Sequence, residues 1–224
     1  MPIANVKSRG YHKIEGASRA FNFDFRGKTV LDIGSSTGGF TEFALNHGAK
    51  KVIAIEKGTN QMQKPLRFDP HIDLHEKTDI FEVKIIGLPS EGIPQLLRGH
   101  SEEPREDGRD ERPEEGNPII LDTTIDVVLA DVSFISLTKI LAYAKQNLSN
   151  QNTDFLVMLK PQFEAKPEDL HKGVVKNEKI RREIIKNFEF WLKQNDFFII
   201  KKHDNTLTGK TGNRERFYWL RKAK

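Results

Sequence analysis

The sequence predicts an α/β protein: a mostly parallel sheet covered by helices on both faces. Three observations carry this expectation. From Lys28 onward, apolar runs of strand length alternate with amphipathic runs of helix length. The first strand, Thr29–Ile33, ends in a glycine-rich turn, Asp32-Ile33-Gly34-Ser35-Ser36-Thr37-Gly38-Gly39-Phe40, that opens into a helix. An acidic residue, Glu56, stands at the end of the second apolar run, Val52-Ile53-Ala54-Ile55.

The elements follow in order. Residues 1–27 read as a basic entry segment with a short helix, His12–Phe21, ahead of a main domain over 28–224. Strand Thr29–Ile33 leads into helix Gly39–His47, strand Lys51–Ile55, helix Gln61–Phe68 and strand Ile72–His75. Residues 87–118 break the alternation. They are rich in Pro, Gly and charge, with few large apolar side chains after Leu97, too little to offset the entropy of ordering. The expectation there is a disordered insertion. Strand Asp126–Asp131, helix Leu137–Leu148 and strand Phe155–Lys160 resume the pattern. Helix Glu178–Gln194 places Ile180, Ile184, Phe188, Trp191 and Leu192 on one core-facing stripe. Strands Phe197–His203 and Arg216–Leu220 have only a short connection, which predicts an antiparallel pair.

Composition narrows the class. The chain has 224 residues, enough for one sizeable core. It has no cysteine, so a disulfide framework and a thiolate metal site are both excluded. The first ten residues, MPIANVKSRG, contain no apolar leader, and no apolar run approaches the ~20 residues of a membrane span. A cytoplasmic protein without a membrane partner is expected. Net charge is +4, yet Ser101–Gly116 holds 3 Arg against 8 acidic residues, so the remainder carries +9. That balance suits a polyanion such as RNA, and suits a solvated basic surface equally well.

The turn points to a cofactor. It lacks the G-x-G-x-x-G spacing of dinucleotide sites and the Gly-Lys-Ser/Thr ending of a P-loop. An Asp at the strand end suits a cationic or amino-bearing ligand, and S-adenosylmethionine is one. Asp32, Gly34, Ser36, Thr37, Gly38, Gly39 and Phe40 form the expected cradle. Glu56 is placed to accept from ribose hydroxyls, Asp79 to reach an adenine amino group, and Asp131 lies beside them after the fourth strand. Ligands of such sheets bind at the carboxyl ends of the strands, so these signals converge. Taken singly, Glu56 and Asp79 read as ordinary strand-end or capping residues. Lys160 closes an apolar strand and precedes a proline, where a snorkelling terminus is the plain reading. Gly212-Asn213-Arg214-Glu215 reads on its own as a turn before a hairpin strand.

Six segments in this order resemble the TlyA or hemolysin A-type family of ribosomal RNA 2′-O-methyltransferases, relatives of the FtsJ-like enzymes. They are Ser8-Arg9-Gly10 with Lys13, Asp32–Thr41, Asp131–Leu137, Lys160–Glu164, Lys172-Gly173-Val174-Val175 and Gly212–Phe217. The resemblance implies a Rossmann-like class I methyltransferase with a seven-stranded sheet, S-adenosylmethionine as cofactor, and ribosomal RNA or a ribosomal subunit as partner. The family's Lys-Asp-Lys-Glu tetrad falls on Lys13, Asp131, Lys160 and Glu215. Three departures are visible. The family's N-terminal S4-like RNA-binding domain has no counterpart ahead of Ser8, Tyr11 stands where the family carries a second glycine, and the acidic insertion has no family equivalent.

The implied reaction is in-line transfer of a sulfonium methyl to a ribose 2′-hydroxyl. Lys160 would activate that hydroxyl, either as a base or as a cation that lowers its pKa. Asp131 would hold Lys160, and Lys13 and Glu215 would orient the nucleotide. Methylation of a planar nitrogen is disfavoured, because Asp131-Val132-Ser133-Phe134 replaces the Asn-Pro-Pro-Tyr-like motif that grips such amines. The remaining alternatives are a catalytically silent RNA-binding or ribosome-assembly module and a membrane-active hemolysin. The second lacks a spanning segment or a basic membrane-facing helix.

Overall fold

The computed structural model describes residues 7–86, 118–205 and 212–223. The expected insertion over 87–118 lies outside them, apart from Pro118. A seven-stranded sheet runs through the molecule in the order β3-β2-β1-β6-β7-β9-β8. Its strands are β1 Thr29–Ile33, β2 Lys51–Glu56, β3 Ile72–Glu76, β6 Val127–Ala130, β7 Asp154–Leu159, β8 Phe197–Asp204 and β9 Arg216–Lys222. β1, β2, β3, β6 and β7 pair in parallel, while β9 runs antiparallel to both β7 and β8. From β1 the chain winds outward to β2 and β3, then returns to β6 on the other side. That reversal opens a crevice at the carboxyl ends of β1 and β6.

Strand alternation sorts the core into two layers. Leu31, Ile33, Val128, Ala130, Phe155, Val157 and Leu159 face α4 (Leu137–Asn147) and α5 (Glu178–Gln194). Val30, Val127, Leu129, Leu156, Met158 and Phe217 face α1 (Arg9–Phe21) and α2 (Gly39–Asn46). This period of two has a functional consequence. Carried one residue past the strand ends, it puts Asp131, Lys160 and Glu215 on the α1 side, the same side as Asp32.

Local chemistry starts and stops the helices. Ser8 caps α1, its Oγ accepting from the Tyr11 amide at 3.4 Å, and Asn22 ends the helix in a left-handed conformation. Asn177 caps α5 by accepting from the Lys179 amide at 2.9 Å. The buried stripe of α5 is Arg181, Ile184, Ile185, Phe188 and Leu192, so Ile180 and Trp191 lie at its margin rather than in it.

Three elements differ from the sequence expectation. The helix expected over Gln61–Phe68 is one turn, Lys64–Arg67 (α3). Pro65 has no amide to bond to Gln61, and the Asn60 and Gln61 amides instead donate to the Glu76 carboxylate, each at 2.8 Å. The first helix begins at Arg9, three residues earlier than expected, because Ser8 supplies its cap. A second, two-stranded parallel sheet joins β4 (Val83–Ile85) to β5 (Ile119–Leu121) across residues 87–117. Tyr143 of α4 anchors this sheet, its hydroxyl lying 2.8 Å from the carbonyls of both Phe81 and Val83. Tyr143→Phe removes that donor from a buried site and should lower unfolding free energy by about 1–2 kcal/mol in urea titration.

Candidate active site

A cleft of about 650 Å³ opens at the carboxyl ends of β1, β2, β3 and β6. Its walls come from the turn after β1, from Glu56 and Lys57 after β2, from Thr78–Phe81 after β3, and from Asp131–Ile135 after β6. Of the expected cofactor residues, Gly34, Ser36, Glu56, Asp79 and Asp131 line it. Asp32, Thr37, Gly38, Gly39 and Phe40 are not among its lining residues.

The turn is held from below. Gly34 and Ser35 donate their amides to the Ile55 carbonyl at 2.9 and 3.2 Å, and Ser36 donates to Glu56 Oε2 at 2.8 Å. The other Glu56 oxygen accepts from the Gly58 amide at 2.7 Å. Glu56 is therefore a brace of the turn as well as a cleft residue, and each oxygen keeps a lone pair for a further donor. Asp79 caps a short 3₁₀ turn, accepting from the Phe81 amide at 3.2 Å and pairing with Lys57 at 3.0 Å.

Asp32 is fully buried beneath the turn. Thr41 of α2 donates to its Oδ2 at 2.6 Å, while Oδ1 and the nearby Ser35 Oγ are buried without a hydrogen-bond partner. Burial pushes the Asp32 carboxyl up to about 7, the Thr41 bond opposes the rise, and the charges of Asp131 and Glu56 add to it.

Gly39 has a packing role that its sequence position does not reveal. A Cβ there would lie 2.7 Å from the Tyr11 amide nitrogen and 3.0 Å from the Gly10 carbonyl carbon, and would overlap Ser8 Oγ. The start of α1 thus rests backbone-to-backbone on the start of α2. Phe40 continues this contact below, buried and stacked on Phe217 with ring centroids 6.0 Å apart.

That contact delivers Lys13. Its Nζ lies 2.7 Å from Glu215 Oε2, with side chains only 10% and 3% exposed. Lys160 Nζ lies 2.6 Å from Asp131 Oδ1 and 2.9 Å from Ser133 Oγ. The β7–β9 register ends with Leu159 opposite Arg216, so the next pair in line is Lys160 and Glu215. The four expected catalytic residues form two ion pairs at the carboxyl end of the parallel strands, and of the four Asp131 alone is a lining residue of the cleft. Glu215 is steadied by the loops around it. Asn205 donates its amide to the Glu215 carbonyl at 2.9 Å, and Asn213 bonds both the Val175 amide and the Gly173 carbonyl at 3.0 Å. Those bonds make one unit of the segments Lys172–Val175 and Gly212–Phe217, which are separate in the sequence.

Residues that sequence reading did not assign also belong here. Ser133 accepts from Lys160, and Phe134 is 92% exposed at the cleft wall, its ring 5.3 Å from that of Phe163. A positive φ of 63° at Phe134 marks it as constrained, a signal only coordinates carry.

Two consequences are measurable. Gly39→Ala should cost about 1–3 kcal/mol of stability by overpacking the α1–α2 contact, read by thermal or urea unfolding. Asp32 binds its proton more tightly when folded, so it lowers stability progressively as pH rises from about 4 through about 7. Asp32→Asn removes that penalty. At about pH 8 the variant should exceed the parent in unfolding free energy by roughly 2–4 kcal/mol, and the gap should close toward about pH 4.

The family described as FtsJ-like methyltransferase matches residues 6–222, and the chain belongs to that family. It is 33% identical over 215 residues to the 16S/23S rRNA (cytidine-2′-O)-methyltransferase TlyA of Mycobacterium tuberculosis, covering 96% of this chain and 68% of that protein. It is 32% identical to Hemolysin A of Brachyspira hyodysenteriae, covering 95% and 76% of the two chains. A crystal structure from Lactococcus lactis described as a candidate hemolysin superposes with a TM-score of 0.74 at 30% identity, covering 97% of this chain and 89% of that one. Among the described residues, no helix is long and apolar enough to cross a membrane.

Proposed function

We propose that this FtsJ-like methyltransferase moves the methyl group of S-adenosylmethionine to a ribose 2′-hydroxyl of ribosomal RNA. The observation that carries this reading is the double ion pair, Lys160–Asp131 and Lys13–Glu215, at the strand ends where Asp131 joins it to the cleft.

The cleft fits the cofactor. Glu56 offers lone pairs to ribose hydroxyls, and Asp79 offers an acceptor for an adenine amino group. Beneath the turn, Asp32 Oδ1 and Ser35 Oγ are buried polar atoms without a hydrogen-bond partner. Gly34, Ser36, Thr37 and Gly38 shape the turn, while Gly39 and Phe40 seat it on α1 and β9. When bound, S-adenosylmethionine supplies an electrophilic methyl on a cationic sulfur. Asp131, on the cleft wall and paired with Lys160, would supply negative charge to such a cation.

The acceptor hydroxyl needs a group that takes or polarises its proton, held at a fixed distance from the methyl carbon. Lys160 is such a group. Asp131 and Ser133 fix its ammonium from one side, and Pro161 fixes the backbone that follows it. Alignment of this kind is worth ~7–11 kcal/mol of barrier in well-oriented reactions. Lys13 and Glu215 form a second, deeper pair that holds α1 against the end of β9 and lines up the incoming nucleotide.

RNA as substrate is supported by the names of the relatives and by the surface around the site. Lys77, Lys166, Lys172 and Lys176 are exposed in loops that follow β3 and β7. Phe134 with Phe163 offers an exposed aromatic face on which an unstacked base can rest.

The test is tritiated methyl incorporation into ribosomal RNA from cells lacking this protein, with mapping of the labelled nucleotide. Label at a ribose 2′-oxygen is expected, and label on a base nitrogen would overturn the reading. Lys160→Ala should lower the rate by at least about 10²-fold while leaving S-adenosylmethionine affinity within about threefold.

A further inference from the structure

The segment after β6 forms one wall of the cleft but has no regular structure until α4 begins at Leu137. It carries Asp131, Ser133 and Phe134, and Phe134 sits at a φ of 63°. Such a segment needs support from outside itself.

Glu164 supplies it. Its Oε2 accepts from the Ser136 hydroxyl at 2.6 Å, and its Oε1 accepts from the Leu137 amide at 2.7 Å. Glu164 is itself fixed, because its amide donates to the Pro161 carbonyl at 3.1 Å and the Phe163 amide donates to the Lys160 carbonyl at 2.9 Å. One tight turn, Pro161–Phe163, therefore separates two side chains that grip the same segment at opposite ends. Lys160 holds Asp131 and Ser133, and Glu164 holds Ser136 and Leu137. Ser136 provides the local cap of α4, accepting from the Thr138 amide at 3.2 Å. The remote carboxylate takes a further amide of the first turn, that of Leu137, and so ties the start of α4 to the turn after β7.

We propose that Glu164 is a positioning residue that sets the Asp131–Ile135 wall, so that Asp131 and Ser133 stay aligned on Lys160 and the cleft keeps its shape for the cofactor. This rests on the reading of the cleft as a methyl-donor site and of Lys160 as the group that acts on the hydroxyl. Gln at this position keeps the geometry without the charge. Its carbonyl oxygen accepts from Leu137, and its amide donates to Ser136, whose own proton then turns to Thr138 Oγ1, 2.7 Å away.

The experiment compares Glu164→Ala and Glu164→Gln in the full chain. Three readouts are taken: S-adenosylhomocysteine binding by calorimetry, amide exchange of residues 132–137, and steady-state methyl transfer. The Ala variant should bind at least about tenfold more weakly and exchange faster in that segment alone. Its kcat should fall at least about tenfold, with KM for RNA within about twofold. The Gln variant should stay within about threefold of the parent in all of these. An Ala variant with unchanged binding and exchange, or a Gln variant as impaired as Ala, overturns the proposal. If the parent protein transfers no methyl to RNA, the functional reading fails, while binding and exchange still decide the role of Glu164.

Discussion

The parallel pairing of β1 with β6 is the constraint from which the site follows. It sets Asp32 opposite Leu129 and Ile33 opposite Ala130, and it makes the crevice where strand order reverses. The glycine-rich turn, the Glu56 brace and the Asp131 segment all meet at that junction. Without this pairing they would be three unrelated strand ends.

Charge in this protein is concentrated where it is costly. Lys13, Lys160 and Glu215 are buried at the carboxyl end of the parallel strands, and Asp32, its carboxyl pushed up to about 7 by burial, lies beneath the turn. Buried ions are tolerated only when paired or hydrogen-bonded, and each of these has a partner within 2.7 Å. The pairs are poor devices for stability, since apolar residues would fill the same space at less desolvation cost. They suit a reaction that needs fixed charge in a dry site.

Support for the site comes from outside it in layers. Gly39 lets α1 approach closely enough for Lys13 to reach Glu215. Asn213 ties two loops into one support for Glu215. Glu164 and Lys160 hold the ends of one cleft wall. Each device is a short polar contact or a missing side chain, and none adds an element to the fold.

Much of the architecture was legible in the chain. The seven strands of the main sheet, the antiparallel last pair and the cleft residues Gly34, Ser36, Glu56, Asp79 and Asp131 follow from local periodicity and turn residues, while Lys13, Lys160 and Glu215 stand out as a set only through the family resemblance. The helix expected over Gln61–Phe68 shortens to one turn, because the pull of Glu76 on the Asn60 and Gln61 amides is a contact between separated segments. The β4–β5 sheet was missed because two three-residue runs carry no periodic signal of their own.

The sequence by itself determined which side chains stand at the strand ends, since alternation and turn chemistry act over a few residues. Tertiary structure alone decided the pairings: Lys13 with Glu215, Gly10 against Gly39, Glu164 on Ser136. Those contacts join segments distant in the chain, and their geometry exists only once β1, β6, β7 and β9 have paired and α1 has closed over them.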